Sequence, residues 1–428
     1  MIQKLYSGKD RTFWMFSYEG TRQVTAQANT ASVPADAIRQ GDFSSIRQAG
    51  LQIVDPVSKT PFANNMIPAS KLSPFGLALT KFWPQANSGD PIRNYYALSP
   101  STNNSDIIAA RIDHRFSASN SMFGRITLNN VDGRSPGQGG IFAGFDAIQS
   151  DGNIQAVLSD NHIFSPTVVN ELNVGFVRFH RDRNSQDAGK RNWLQELGVG
   201  GIPSDNPFTW GAPFLSVTGY TGTGYASSNS YFRWLSQSQQ TVDNLTIIRG
   251  KHTFKVGGSF SARRNDSTQW LTPNGSYTFN GVFSTRPPAT TTNQYNAFAD
   301  LLMADPSAYA VQTAPYLLRL QNYQISAYGQ DDWRVTPNLT LNLGLRWEYF
   351  GKPADRYGRI ASFDLNSGMQ IFPGQNNLPN SFIHPDLNDF GPRLGLAWKP
   401  GGSQRLVVRA AYGIFYSPEV VNSYINLG

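Results

Sequence analysis

Hydrophobic and polar residues alternate with a period of two along much of the chain, and the alternating runs are long. From Leu339 to Tyr349 one face carries Leu339, Leu341, Leu343, Leu345, Trp347 and Tyr349, and the other carries Thr340, Asn342, Gly344, Arg346 and Glu348. Successive side chains of a strand point to opposite faces, so this pattern predicts a strand with one apolar and one polar surface. The same alternation sets His252, Phe254, Val256, Gly258, Phe260 and Ala262 against Thr253, Lys255, Gly257, Ser259, Ser261 and Arg263. It recurs with Leu406, Val408, Ala410, Tyr412 and Ile414, with Ile108, Ala110, Ile112 and Phe116, and with Leu172, Val174 and Phe176. A tilted strand needs about 9–11 residues to cross a bilayer, and these runs reach that length.

The connections between strands are unequal. Short turns are expected at Ser117–Asn120, Phe164–Thr167, Arg249–Lys251, Val335–Asn338 and Pro400–Ser403, each between two alternating runs. The opposite ends lead into long segments, approximately 24–104, 132–151, 183–229, 266–318 and 352–389, rich in Gly, Pro, Ser, Asn and aromatics. Soluble propellers and sandwiches use strands of five or six residues with short loops at both ends. Transmembrane barrels place short turns at one end and long loops at the other. Trp333, Trp347, Tyr349, Trp398 and Tyr416 stand at strand ends, where interfacial girdles would lie. The expectation is therefore an all-β, antiparallel transmembrane barrel. Leu341, Leu343 and Leu345 would face lipid, and Asn342 and Arg346 the lumen.

Composition supports β structure over helix. Charged residues are 15% and aromatics 13% of the 428 residues, and Gly and Pro number 39 and 26. No apolar run is long enough for a membrane-spanning helix. The absence of cysteine excludes disulfides, zinc knuckles and thiol catalysis. The net charge of +7 comes from scattered Lys and Arg, with no basic stripe for a nucleic-acid backbone, so no nucleic-acid partner is expected. Residues 1–7 contain no apolar signal-peptide core, so either the protein is cytosolic or the front of a longer one is missing, and the strand pattern favours the missing front.

Catalytic chemistry is not indicated, and neither a metal nor a cofactor is expected. His114, His162, His180, His252 and His384 fall in no zinc-binding spacing and read as girdle or loop residues. Asp331-Asp332 reads as a solvated rim beside Trp333, and Asp389, near Asp386, as a loop residue. Gly219–Tyr225 lacks the strand, helix and Gly-Lys-Ser/Thr ending of a phosphate-binding loop, and reads as a mobile surface loop. Within the same segment Trp210, Tyr220, Tyr225 and Tyr231 are candidate ligand contacts, because aromatic faces stack on sugars or on apolar groups of peptides. The competing reading is packing of loop against loop.

Several motifs carry a family resemblance. Gly250-Lys251-His252-Thr253-Phe254-Lys255-Val256-Gly257-Gly258 and Gln330-Asp331-Asp332-Trp333-Arg334-Val335-Thr336-Pro337-Asn338-Leu339-Thr340-Leu341-Asn342-Leu343-Gly344-Leu345-Arg346-Trp347-Glu348 resemble hairpins of Oar-like TonB-dependent transporters. Phe390–Trp398, Val408–Tyr416 and Arg11–Gly20 resemble other barrel strands of that family. Gln40–Ser44, Asp55-Pro56 and Asn65–Pro74 resemble its first long loop. The resemblance implies one partial barrel domain over 1–428, from a barrel of about 22 strands. About 13–15 strands are expected here, in an open sheet whose first and last strands lie apart. It further implies Gram-negative outer-membrane localisation, lipid contact, extracellular long loops and uptake of a ligand, an oligosaccharide or a peptide. The TonB complex would act through a plug domain that this chain does not contain, and the last barrel strands are also expected to be missing. Two alternatives remain: a passive porin or channel, and a secreted or surface β-rich binding protein.

Overall fold

The computed structural model describes residues 8–136, 142, 144–199, 205–225, 231–286, 293–402 and 405–418. In chain order its strands are β1 (Thr12–Ala31), β2 (Tyr95–Arg115), β3 (Asn120–Ser135), β4 (Ala147–Ser165), β5 (Val168–Ser185), β6 (Phe214–Val217), β7 (Tyr231–Arg249), β8 (His252–Trp270), β9 (Ser276–Phe279), β10 (Ala308–Ala310), β11 (Tyr316–Thr336), β12 (Leu339–Phe350), β13 (Ala354–Asp355), β14 (Ser362–Asp364), β15 (Met369–Ile371), β16 (Asp389–Trp398) and β17 (Val408–Gly413). Four short helices are α1 (Asp36–Arg39), α2 (Pro74–Leu79), α3 (Trp193–Glu196) and α4 (Gln294–Met303).

The wall is a twelve-stranded sheet in the order β1-β2-β3-β4-β5-β7-β8-β11-β12-β16-β17, with β13 paired to β11 beyond the end of β12. Every pair in it is antiparallel. Among the described residues β1 and β17 do not pair, so the sheet is open, as expected. The tight turns fall at one end, between β2 and β3, β4 and β5, β7 and β8, and β11 and β12, and β16 runs on to β17 at that same end. The long connections all fall at the other.

The strands are longer than the alternation alone suggested. β2 and β11 have 21 residues and β1 has 20, so 24–31 and 95–104 belong to strands rather than to the first long loop. The loops expected at 132–151 and 266–318 shrink in the same way, whereas the one at 352–389 keeps its length. At their loop ends β1 and β2 pair Thr25, Gln27 and Asn29 with Ser101, Ser99 and Ala97 on the inner face, and Val24, Ala26 and Ala28 with Thr102, Pro100 and Leu98 on the outer one, beyond a polar interruption where Gly20 and Arg22 oppose Asp106 and Asn104. The ladder hydrogen bonds run on past that interruption, while small Ala and Ser side chains weaken the hydrophobic signal beyond it. Among the described residues the wall holds twelve strands, against the 13–15 expected.

The register sorts the side chains into two surfaces. One row runs Ile112, Gly124, Leu158, Val174, Thr241, Phe260, Ile325 and Tyr349 on adjacent strands. This face is apolar and exposed, with Leu343 at 40% and Leu345 at 51% accessibility, as a lipid-facing surface requires. The opposite face carries Arg111, Arg125, Gln155, Gln240, Ser261, Ser326 and Arg346.

The compact hydrophobic core is not in the wall but in the long connections. Residues from 32–94, 142, 144–146, 193–197, 205–225, 271–286 and 293–303 pack into one cluster that includes Phe43, Ile53, Leu79, Phe82, Trp83, Leu215, Phe279, Phe298, Leu301 and Leu302. Helix α4 lies at its centre. Asn293 caps it by accepting from the Tyr295 and Asn296 amides, and the buried run Ala297–Leu302 follows. Strands β10, β9 and β6 form a small sheet in that order, with β6 parallel to β9. Four of the five long connections thus contribute to one folded cap.

Candidate functional site

The polar face of the wall is tied together by hydrogen bonds and ion pairs, some along one strand and some between neighbouring strands. Asp332 Oδ1 accepts from Asn342 Nδ2 at 2.6 Å and from Gln330 Nε2 at 2.8 Å, and its other oxygen lies 3.3 Å from Lys255 Nζ. Arg346 donates to Ser326 Oγ at 2.8 Å and lies 3.0 Å from Glu348. Arg181 makes a two-pronged pair with Asp151, and Arg111 with Asp113. Tyr328 lies across Gly257 to donate to Asn244 Oδ1 at 2.8 Å. A Cβ on Gly257 would stand 2.7 Å from the Tyr328 ring, so that position must be glycine for the ring to cross. Nearer the middle Arg125, Gln155, Val157, Gly175, Ser238 and Gln240 line a shallow recess. Such a wall wets and orients polar groups; among the described residues no cluster suited to a metal occurs.

The two quoted hairpin motifs meet across β8 and β11. Asp331 and Asp332, adjacent in sequence, point to opposite faces. Asp332 joins Lys255 and Asn342 inside, and Asp331 pairs with His252 outside, Nδ1 to Oδ2 at 2.7 Å. The His252 ring stacks on Phe254 and Trp333, each at 5.4 Å between centroids. The acidic pair is therefore not one solvated rim; the strand's period of two divides it between faces. His114 and His162 similarly lie against Phe116 and Phe164, both at 4.4 Å.

In the cap, the first-loop motif serves as scaffold. Asn65 is buried, accepts from the Ile53 amide and donates to the Phe43 and Leu51 carbonyls. Asp55 pairs with Lys71 at 2.8 Å and accepts from the Val57 and Ser58 amides, which holds its carboxyl down at about 2. Arg39 donates to the carbonyls of Pro34, Thr80, Trp83 and Pro84, and burial lowers its pKa. Asp300 is fully buried in α4. It accepts from the Ser284 and Phe283 amides, yet desolvation pushes its carboxyl up to about 6. Sequence reasoning missed Asp300 and Arg39. The capped apolar run after Asn293 was the available signal for α4, and nothing local marked the arginine.

The four aromatic candidates separate. Tyr225 is 3% exposed and donates to Asp187 Oδ2 and the Gly144 carbonyl, and burial raises its pKa. Tyr220 packs on Phe298 at 5.3 Å and is likewise raised by burial. Trp210 and Tyr231 keep partial exposure, and Tyr231 lies 4.6 Å from the Phe208 ring. Contrary to expectation, Gly219–Tyr225 is not a mobile surface loop. Trp83 Nε1 donates to the Thr221 carbonyl, Thr223 bridges Leu215, and Gly224, with φ +91°, sits where a Cβ would overlap the Pro213 carbonyl oxygen. The glycines that mimicked a phosphate loop let the backbone pack closely inside the cap.

A family model described as an outer membrane beta barrel domain matches residues 4–428. No curated protein matches the sequence. Among solved structures, the chain is similar to the outer membrane transporter YddB of Escherichia coli, at 11% identity over 77% of this chain and 33% of that one, TM-score 0.43. It is also similar to the ferripyoverdine receptor of the outer membrane of Pseudomonas aeruginosa, at 12% identity over 77% and 39%, TM-score 0.42. A third is the ferric-catecholate import receptor Fiu of E. coli K12 in its open form, at 11% over 76% and 50%, TM-score 0.39. The chain spans a third to a half of the length of these structures.

Proposed function

The chain belongs to the outer membrane beta barrel domain family, and from that premise we propose that it forms wall and outer cap of a TonB-dependent transporter that takes up a ligand across the outer membrane. The observation that carries the reading is the pairing of a polar, cross-linked inner face with long loops that fold into a single core at one end of the wall. A passive pore needs its loop end open, whereas a capped lumen suits capture followed by energised release. The hairpin resemblance to Oar-like transporters supports the same reading.

In this reading the cap faces the cell exterior and a plug domain couples the lumen to the TonB complex. Ligand contact falls first to Trp210 and Tyr231, and Tyr220 and Tyr225 shape the cap from within. An oligosaccharide or a peptide suits the aromatic and amide-rich surfaces. The test is ligand accumulation by cells carrying the complete protein, with and without a protonophore. Uptake abolished by the protonophore is expected; uptake that persists unchanged would identify a passive channel instead.

A further inference from the structure

On the lipid side of the wall, the apolar band ends at an unusual row. Arg178 of β5 is directly opposite Gln237 of β7, and Gln237 is opposite Arg264 of β8. The row beneath is Phe176, Gln239 and Ala262, and the next is Val174, Thr241 and Phe260, with Val174 and Phe260 43% and 45% exposed. The two arginines therefore stand on the outward face at the upper border of the surface that contacts lipid. Both are exposed, and neither side chain has a hydrogen bond or ion pair among the described residues.

Nearby carboxylates on the same face are already engaged. Asp182 pairs with Arg233 at 2.6 Å, and Asp266 with Arg356 at 2.7 Å and Arg319 at 4.0 Å. Two strand spacings separate the backbones of Arg178 and Arg264 by about 10 Å, so their flexible side chains can converge over Gln237. Two guanidinium groups brought together without a counter-charge form a site for an anion, and guanidinium forks match phosphate oxygens. At this height the anions at hand are phosphates of lipid headgroups.

We propose that Arg178, Gln237 and Arg264 bind the phosphate of an outer-membrane lipid headgroup, with Gln237 and Gln239 as hydrogen-bonding partners for its polar substituents. The guanidinium pair clamps the phosphate, and the Phe176, Val174 and Phe260 surface below receives the acyl chain.

The test uses the complete protein in detergent micelles doped with a diphosphorylated glycolipid or its dephosphorylated counterpart, and measures bound lipid by native mass spectrometry. The phosphorylated lipid should bind at least tenfold more tightly. Arg178→Ala/Arg264→Ala should remove that preference, and Arg178→Lys/Arg264→Lys should retain part of it. Equal binding of the two lipids by the parent protein would overturn the proposal without any variant. An alanine pair that keeps the full preference, while its heat-modifiable migration shows a folded barrel, would also overturn it. Inorganic phosphate that binds the same pair as tightly as the lipid does would reassign it to a free anion, and a change of oligomeric state in place of lipid loss would reassign it to a contact between copies.

Discussion

His252 Nδ1 lies 2.7 Å from Asp331 Oδ2, joining the first residue of β8 to β11 on the outward face at the turn end of the wall. Directly behind Asp331 in sequence, Asp332 makes the equivalent link inward, to Lys255. One hairpin motif thus clamps the other on both surfaces of the sheet.

Removing one partner of the outer clamp leaves the other without its hydrogen bond in a largely apolar setting. His252→Ala, which also deletes the stacking on Phe254 and Trp333, should destabilise the barrel by about 1–3 kcal/mol. A cycle with Asp331→Ala should return a coupling of at least ~0.5 kcal/mol in denaturant unfolding from bilayers. Additive effects would show that the pair contributes nothing beyond its separate residues.

The assignment of faces is tested by placing the same charge on each. Leu343→Arg puts a guanidinium into hydrocarbon and should cost ~2–4 kcal/mol near the bilayer midplane. Gln240→Arg, on the wet inner face, should stay within about 1 kcal/mol of the parent. Equal costs, read as folding yield and unfolding midpoint in lipid vesicles, would contradict the register.

Protons act on the cap from two directions. Asp300 is pushed up to about 6, so the folded cap holds this proton more tightly than the unfolded chain does. Its contribution is complete below the ordinary carboxylate value of 3.8 and is lost as pH rises through about 6. The difference is worth roughly 3 kcal/mol at most, at about 1.4 kcal/mol per pH unit. Asp55 works oppositely: held down at about 2 by Lys71, it contributes above 3.8 and the contribution is lost as pH falls through about 2. Amide exchange in 293–303 should therefore slow as pH is lowered from 7 to 4.5, after correction for intrinsic rates. Asp300→Asn should abolish that change; a variant with the parent's pH profile would remove Asp300 as its source.

The wall was legible in the sequence because a strand between lipid and water must alternate at every residue, and Leu339–Tyr349 does. The short turns were legible from Pro, Gly, Asn and Ser between alternating runs. The extensions of β1 and β2 were not, because Gly20 and Arg22, opposite Asp106 and Asn104, break the apolar row of the outer face before it resumes. The cap was invisible for another reason. Its core joins Trp83, Tyr220 and Phe298 from three separate loops, and no local pattern announces contacts across 60 or more residues. Gly219–Tyr225 shows the cost, since its glycines signal close packing as readily as mobility.

Whether cap and wall unfold together follows from where Phe298 sits. Its side chain is fully buried, in edge contact with Trp83 at 6.0 Å and with Tyr220 at 5.3 Å. Phe298→Ala should cost the cap about 3–5 kcal/mol, because the rings around it come from different loops and cannot close the cavity by moving one element. The wall draws its stability from a continuous hydrogen-bonded ladder and from lipid contact, neither of which passes through Phe298. The variant should therefore become cleavable by protease in 205–225 and 293–303 while its heat-modifiable migration in gels stays that of the parent. Loss of heat-modifiability at the same protease-sensitive threshold would show cap and wall to be one cooperative unit. Preserved resistance in both segments would mean that the loops collapse around the missing ring, and that the cap core is looser than its packing implies.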